Sequence, residues 1–389
     1  MKNGWQIKTL GDVCEIVKGR KPVLKVKPSI GDLPYLVAKV MRGSADAEYA
    51  SLKDRNSIPV QKAETIIICD GSNSGEVFTG FKGILSSTMG KIAKKVPIDD
   101  DYLRAFLAST FEVFNGAKTG AAIPHLDKEA LYQLDLPLPP LPEQKRIVGI
   151  LDEAFEGIAT AKSNAEKNLQ NAHALFENRL QSVFTHRGKG WTETTLGDVC
   201  LQITDGKHGD CKNEVDSGFY FLSAKDVKDG ILNYENARQI TKHDFEETHR
   251  RTNLEPGDIL ITNAGTIGRI AIASSDDKTT RTTFQKSVAV LKLVKKIIDS
   301  KFAYYCLSTG VKRFQNLSAG AAQKNLLLRD LRSYRFSLPS SLDQQREVAT
   351  KLDHLSEEIQ RLASIYQQKL AALDALKKSL LHQAFSGKL

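Results

Sequence analysis

Residues that could cut a phosphodiester stand together at one point of the chain. Asp135 followed by Glu143-x-Lys145 has the D…E-x-K order in which two carboxylates would share a Mg²⁺ and a lysine would polarise the attacking water. That chemistry places E-x-K on a strand. Here it follows Pro142 at a helix start, where a glutamate suits the helix dipole and a lysine points to water. A related stretch later in the chain has Gln344 and Arg346 at these positions and so lacks the carboxylate. No nuclease is expected. The sequence has no G-x-x-x-x-G-K-[ST] loop for ATP, and no Asn/Asp-Pro-Pro-Tyr segment to grip a flipped adenine. His208, His243 and His249 do not stand at ligand spacing with a cysteine, and they are expected at the surface or facing DNA. The five cysteines form no C-x-x-C pair, which argues against a zinc ribbon or a disulfide scaffold. Neither catalytic residues nor a metal site are expected.

Binding suits the remaining chemistry better. The chain has 389 residues, 41% hydrophobic and 26% charged, which excludes a wholly disordered or fibrous protein. Its net charge is +9. Residues 1–142 carry +3, 143–186 carry −1, 187–340 carry +6 and 341–389 carry +1. The excess sits in segments one and three, where it suits a polyanion such as DNA. No run of ~18 apolar residues occurs, and the opening MKNGWQIKTLGDVC lacks the apolar stretch of a secretory signal. A soluble cytoplasmic protein with no membrane partner is expected.

The elements that position these residues occur twice. WQIKTLGDVC (5–14) returns as WTETTLGDVC (191–200). Tyr35–Lys39 meets Phe221–Lys225, Thr65–Ile68 aligns with Asp258–Ile261, and Gly75 aligns with Gly268. Gly120-Ala121-Ala122 matches Gly320-Ala321-Ala322, Pro139 matches Pro339, Gln144 matches Gln345, and Leu151-Asp152 matches Leu352-Asp353. The drifting offset is what loop insertions in a duplicated unit produce. The fold class is α+β: two similar mixed lobes (1–142 and 187–340), each followed by a long helix (143–186 and 341–389). Strands are expected at 65–69, 259–262, 270–273 and 288–293, and short helices at 101–114 and 300–317.

Each long helix follows a proline-marked boundary, LPLPPLPEQ or SLPSSLDQQ, with Ser341 or Asp343 able to cap the second. At 1.5 Å per residue, ~42 residues span roughly 60 Å. Apolar residues recur in steps of mostly 4 and 3. In the first helix they run Ile147, Leu151, Phe155, Ile158, Ala165, Leu169, Ala172, Phe176, Leu180, Val183. In the second they run Val348, Leu352, Leu355, Ile359, Leu362, Tyr366, Leu370, Leu373, Leu376, Leu380, Ala384. Two such stripes can cover each other as an antiparallel coiled coil, a spacer between similar lobes. Pairing between chains is the other way to cover them. Similar lobes on a spacer suit duplex DNA, whose equivalent positions recur every ~34 Å.

Together these segments resemble the specificity (S, HsdS) subunit of type I restriction–modification systems. The resemblance rests on TLGDVC in each half, LSAKDV (222–227), GDILITNAGTIGRIAI (257–272), GAAIPHL and GAAQKNL (120–126, 320–326), LPLPPLPEQKRIVGILDEAF (136–155) and LLHQAFSGKL (380–389). It covers essentially the whole chain. It implies that each lobe reads one half of a bipartite target in double-stranded DNA. It also implies that the helices fix the gap and dock two methyltransferase (M) subunits, with no active site in this chain. S-adenosylmethionine would then belong to the M subunits, and ATP and Mg²⁺ to added restriction (R) subunits. The first lobe departs at AETIIICDGSNSGEV, with Asp70 and Glu76 set against Asn263 and Arg269, so the half-sites are expected to differ. No DNA contact is assigned to its stretch before Lys39.

Phosphate contact needs Lys, Arg, small hydroxyls or backbone amides, and base reading needs Arg, Lys, Asn or Gln. The first-lobe candidates are Lys39, Arg42, Ser72, Asn73, Ser74, Lys91 and His125. In the second lobe they are Asp205, Gly206, Lys207, His208, Lys225, Asp226, Asn263, Thr266, Arg269, Gln285, Lys286, Lys324 and Asn325. For M-subunit docking the candidates are Gln144, Arg146, Asp152, Gln345 and Asp353, although Asp152 and Asp353 could instead edge the coiled coil. A DNA-independent coiled-coil adaptor is the competing class, and the basic lobes argue against it.

Overall fold

A computed structural model describes residues 4–116, 125–186, 188, 190–318 and 325–389. It divides into two compact units, Met1–Lys167 with Tyr366–Leu389, and Asn168–Ile365. Each unit takes one lobe and part of both long helices.

The repeated hexapeptide folds the same way in both lobes. Thr9 ends a strand (Gln6–Thr9) and caps the short helix Leu10–Val13. Its hydroxyl oxygen accepts the Asp12 N–H at 3.3 Å and donates to the Asp12 carboxylate at 2.7 Å. Thr195 and Asp198 do the same for Leu196–Val199, closing a full capping box. Leu10, Val13, Leu196 and Val199 are buried, and Cys14 and Cys200 each begin the next strand. The motif is therefore a cap and core anchor.

That next strand is the edge of a four-stranded antiparallel sheet. In the first lobe the order is Cys14–Lys18, Met89–Lys94, Ile66–Ile68, Val77–Phe78, and in the second it is Cys200–Asp205, Val288–Leu293, Ile259–Thr262, Ile270–Ile272. Alternate side chains face opposite sides, as the period of a strand requires. Ile67 packs with the helices, while Ile66 and Ile68 face a second core. Ile259 and Ile261 likewise face the helices, and Leu260 faces away. Each lobe also has a parallel pairing beyond this sheet, Asp32–Leu36 with Gly83–Leu85 and Tyr220–Leu222 with Thr282–Phe284.

The expected short helices are present, with one difference. Asp100–Gly116 is continuous, whereas its counterpart is split into Ser300–Thr309 and Val311–Leu317. At the break, a Cβ on Gly310 would lie 2.2 Å from the Tyr334 hydroxyl, so the ring occupies space a side chain would need. The first lobe has Thr110 there, and its hydroxyl donates to the Leu107 carbonyl within an unbroken helix.

The long helices run Leu141–Thr185 and Leu342–Phe385. Every stripe residue is at least half-buried except Leu376. In the first unit Ile147, Leu151 and Phe155 share a core with Leu380, Leu381 and Ala384, and Lys162 pairs with Asp374 at 2.7 Å. In the second unit Phe176, Leu180 and Val183 share a core with Val348, Ala349 and Leu352. The start of each helix thus meets the end of the other, which makes the pair antiparallel.

Gln144 and Gln345 overturn an expectation. Both are buried and neither is offered to a partner. Gln144 donates to the Pro139 carbonyl at 2.7 Å and accepts the Asp99 N–H at 2.8 Å. Gln345 donates to Pro339 at 2.8 Å and accepts from Asp299 at 2.9 Å. Each ties the proline boundary, the long helix and the cap of a lobe helix into one joint. The polar side chain turns inward because two buried backbone groups need partners. Asp353 is also engaged within its own unit, by the Tyr305 hydroxyl at 2.7 Å and Lys301 at 2.5 Å. Arg146 and Asp152 remain exposed.

Candidate nucleic-acid interface

The second lobe gathers its candidates where the sheet strands end. Asp205 closes the edge strand, and Gly206 turns the chain against the neighbouring backbone. A Cβ on Gly206 would lie 2.0 Å from the Phe284 carbonyl oxygen, so only glycine fits. The turn is fixed by Lys207 N–H to Phe284 O at 2.8 Å and Lys286 N–H to Lys207 O at 3.0 Å. Asn263 N–H donates to Ser287 O at 3.0 Å, and Leu326 N–H donates to Asn263 O at 2.8 Å. These contacts bring Asp205, His208, Asn263, Lys286 and Asn325 around one cleft of about 220 Å³. Lys286 is exposed and Gln285 half-buried beside it. Lys225 and Thr266 are exposed but are not walls of the cleft. Lys324 lies outside the described residues.

Several candidates are already committed to the protein. Asp205 accepts from Arg251 and sits 3.1 Å from His208, while Lys207 pairs with Glu247 at 3.2 Å. Asp226 is buried, with its carboxylate capping Ser223 through N–H at 2.8 Å and hydroxyl at 3.0 Å, so it serves the fold and not DNA. The Asn263 Oδ1 is buried with no partner among the described residues. His249 is likewise no surface group: it stacks on Phe245 at 4.7 Å and bonds the Thr282 carbonyl at 3.3 Å. Burial lowers its pKa, the Thr282 bond opposes this, and the Lys292 charge lowers it further. His243, Asp244 and Glu247 bring ligand atoms within 4.8 Å of one another, but Asp244 accepts the Lys212 N–H and Glu247 holds Lys207.

The first lobe repeats the frame with other side chains. Asp70 sits between Lys18 at 2.8 Å and His125 at 2.8 Å. Burial would raise its pKa, but these two contacts prevail and hold the carboxyl below its ordinary value. Arg42 pairs with Glu76, which also accepts from Asn73 at 3.2 Å. Ser74 is buried and cannot meet DNA directly. Lys91 is half-buried and pairs with Glu64 at 2.9 Å across the sheet, so it is a structural cation. Lys39 and Ser72 are exposed. In the second lobe Arg269 donates to the Ala224 carbonyl at 3.3 Å.

Backbone pairing also corrects the alignment of the lobes by one residue. Cys69 N–H bonds Thr88 O and Asn263 N–H bonds Ser287 O; Leu126 bonds Cys69 O as Leu326 bonds Asn263 O. Asn263 therefore corresponds to Cys69, and Asp70 to Ala264, as the bridges Asp70–His125 and Ala264–Asn325 agree. Glu76 and Arg269 do correspond, because each carbonyl bonds its strand partner, Ile68 or Thr262. The first lobe has one extra residue in the loop between these points. Ile66–Ile68 thus overlays Leu260–Thr262 rather than Ile259–Ile261, which agrees with the buried faces of both strands.

The same pairing reveals residues that sequence comparison passed over. Gly19 N–H bonds Met89 O at 2.8 Å, as Gly206 N–H bonds Val288 O at 3.2 Å. A Cβ on Gly19 would lie 2.1 Å from the Ser86 carbonyl oxygen. Lys18-Gly19-Arg20-Lys21 is therefore the first lobe's version of Asp205-Gly206-Lys207-His208. The available signal was a glycine followed by a cation at nearly the hexapeptide's own offset.

At the D…E-x-K stretch the glutamate is engaged by a neighbour on its own helix. Glu143 lies in the first helical turn, with Arg146 on both carboxylate oxygens at 2.7 and 2.9 Å. Among the described residues no helix is long and apolar enough to cross a membrane.

Two copies of a sheet-and-loop module, each joined to a long helix, define a duplicated recognition protein. The type I restriction modification DNA specificity domain matches residues 2–170 and again 188–368, and the chain belongs to that family. The specificity subunit of the type I restriction enzyme MjaVIII from Methanocaldococcus jannaschii is 27% identical over 403 residues, covering 99% of this chain and 93% of the relative. That of EcoBI from Escherichia coli is 24% identical over 387 residues, covering 91% and 79%. A chain from a structural study of complex assembly and conformational transition in the type I R-M system has a TM-score of 0.79 at 20% identity, covering 100% of this chain and 99% of that one. The HsdS subunit from Thermoanaerobacter tengcongensis has a TM-score of 0.60 at 18% identity, covering 100% and 98%. At these identities the structural likeness speaks for the fold.

Proposed function

We propose that this chain is the DNA-specificity subunit of a type I restriction–modification complex. Each lobe reads one half of an asymmetric, bipartite duplex target. The paired helices set the gap between half-sites and dock two methyltransferase subunits, using faces such as those of Arg146 and Asp152. The chain itself performs no catalysis. S-adenosylmethionine is held by the methyltransferase subunits, and ATP with Mg²⁺ by restriction subunits where these join. The reading rests on one observation above all: a single family domain occurs twice, and the same strand-end loops recur in each copy with different side chains. Shared backbone contacts with unlike side chains suit two half-sites of unlike sequence. The test is sequencing of modified adenines in the native genome, with and without the gene. Loss of N6-methyladenine from one bipartite, fixed-gap motif is expected. An unchanged pattern in a strain that expresses the protein would remove the modification role.

A further inference from the structure

The segment Lys18–Gly31 in the first lobe has five cations and no acid. Lys18 is held by Asp70, and Lys25 by Asp32 at 2.9 Å. Arg20, Lys21 and Lys27 are exposed and make no ion pair or side-chain hydrogen bond among the described residues. Interleaved with them, Val23, Val26 and Ile30 are 73%, 81% and 108% exposed. This is not a loose basic loop. Its backbone is fixed by Gly19 on Met89, by Val23 N–H on the Asp54 carboxylate at 2.9 Å, and by paired Lys25–Tyr49 bonds of 2.9 Å. The arm thus has an ordered backbone, free cations and apolar side chains left in water.

We infer that Arg20–Ile30 is a DNA-contacting arm of the first lobe, with Arg20, Lys21 and Lys27 on backbone phosphates and Val23, Val26 and Ile30 against the groove. The inference rests on the proposed function, and it assigns residues no sequence motif marked. Duplex DNA is the occupant because the free charge is of one sign and the arm leaves the sheet where the second lobe's cleft-lining loop does. Apolar side chains among the cations suit thymine methyl groups in the major groove. Holding the backbone in place beforehand lowers the ordering penalty on binding.

The experiment measures the binding of the assembled methyltransferase complex to a duplex carrying its motif, over a range of salt. Each neutralised phosphate contributes about 0.9 to the slope of log affinity against log salt. The variant Arg20→Ala/Lys21→Ala/Lys27→Ala should bind more weakly and lose roughly 2–3 from that slope, with its melting temperature unchanged. The charge-conserving Arg20→Lys/Lys21→Arg/Lys27→Arg should keep the slope. An alanine variant with the full slope would overturn the assignment. A variant that sheds its methyltransferase subunits while keeping the slope would overturn it too, in favour of protein docking. If the unaltered complex shows no preference for the motif-bearing duplex, the functional reading itself fails, which separates the two failures.

Discussion

Where the edge strand ends, the first lobe continues as Lys18-Gly19-Arg20-Lys21 and the second as Asp205-Gly206-Lys207-His208. The glycines share one backbone contact and one steric reason for being glycine. The charges around them have diverged. Residues 18–31 carry five cations and no acid, whereas 205–218 carry two cations and four acids. The second lobe also ties three of these charges down. Helix Lys242–Thr252 supplies Glu247 to Lys207 and Arg251 to Asp205, and Arg238 holds Asp210 at 2.6 Å. Among the described residues the first lobe leaves Arg20, Lys21 and Lys27 without an ion pair. The joints that hold each lobe together (threonine caps with Asp12 and Asp198, buried glutamines, close glycines) do not use the ionic groups at the strand ends, so those groups can change without unmaking the frame.

The comparison breaks most visibly at the glycines. Gly19→Ala and Gly206→Ala should each destabilise the protein by ~3 kcal/mol or displace the loop, because the Cβ meets backbone rather than a movable side chain. Thermal melting and duplex binding check this. A harmless alanine at one site alone would show that the two turns are not equivalent. The buried glutamines come next. Gln144→Leu strands the Asp99 N–H and the Pro139 carbonyl, Gln345→Leu strands the Asp299 N–H and the Ile297 and Pro339 carbonyls, and each should lose about 2 kcal/mol in denaturant unfolding. Near-equal losses would support a shared joint, and a loss at only one would split the lobes.

The smallest effect is pH dependence in the second lobe. Burial, the leading cause, keeps the His249 pKa below its ordinary value, so the unfolded chain takes up the proton first as pH falls. Stability is therefore full above about pH 6.5 and declines below it, until the folded imidazole is protonated as well. His249→Phe should flatten the melting temperature between about pH 7 and pH 5. An unchanged slope would show that His249 contributes nothing to it.

Much of this organisation was legible in the residues. TLGDVC announced the duplication because it combines a cap with two core anchors, and both lobes need all of them. The helix stripes were legible because their period is long and repeated. The register of the central strand was not. A triple isoleucine can overlay Ile259–Ile261 or Leu260–Thr262 equally well, and only hydrogen bonding and buried faces separate the two; a one-residue slip exchanges those faces. Gln144 and Gln345 looked like surface residues because they follow exposed positions at a helix start. Their partners are main-chain groups at 99 and 139, or 297, 299 and 339, which carry no side-chain signature. Arg20 and Lys21 were hidden because the correspondence slips by one residue at a bulge between Cys200 and Gln202 and the side chains around the glycine differ, so that only backbone contacts make it plain.

Whether the lobes read separate halves is tested most directly by sequencing modified adenines in a strain carrying Lys286→Ala/Asn325→Ala, two side chains on the walls of the second lobe's cleft. The expected motif keeps its first half-site and its gap and accepts additional bases in the second. Relaxation of both halves together, or of the half assigned to the first lobe, would contradict independent reading by two lobes.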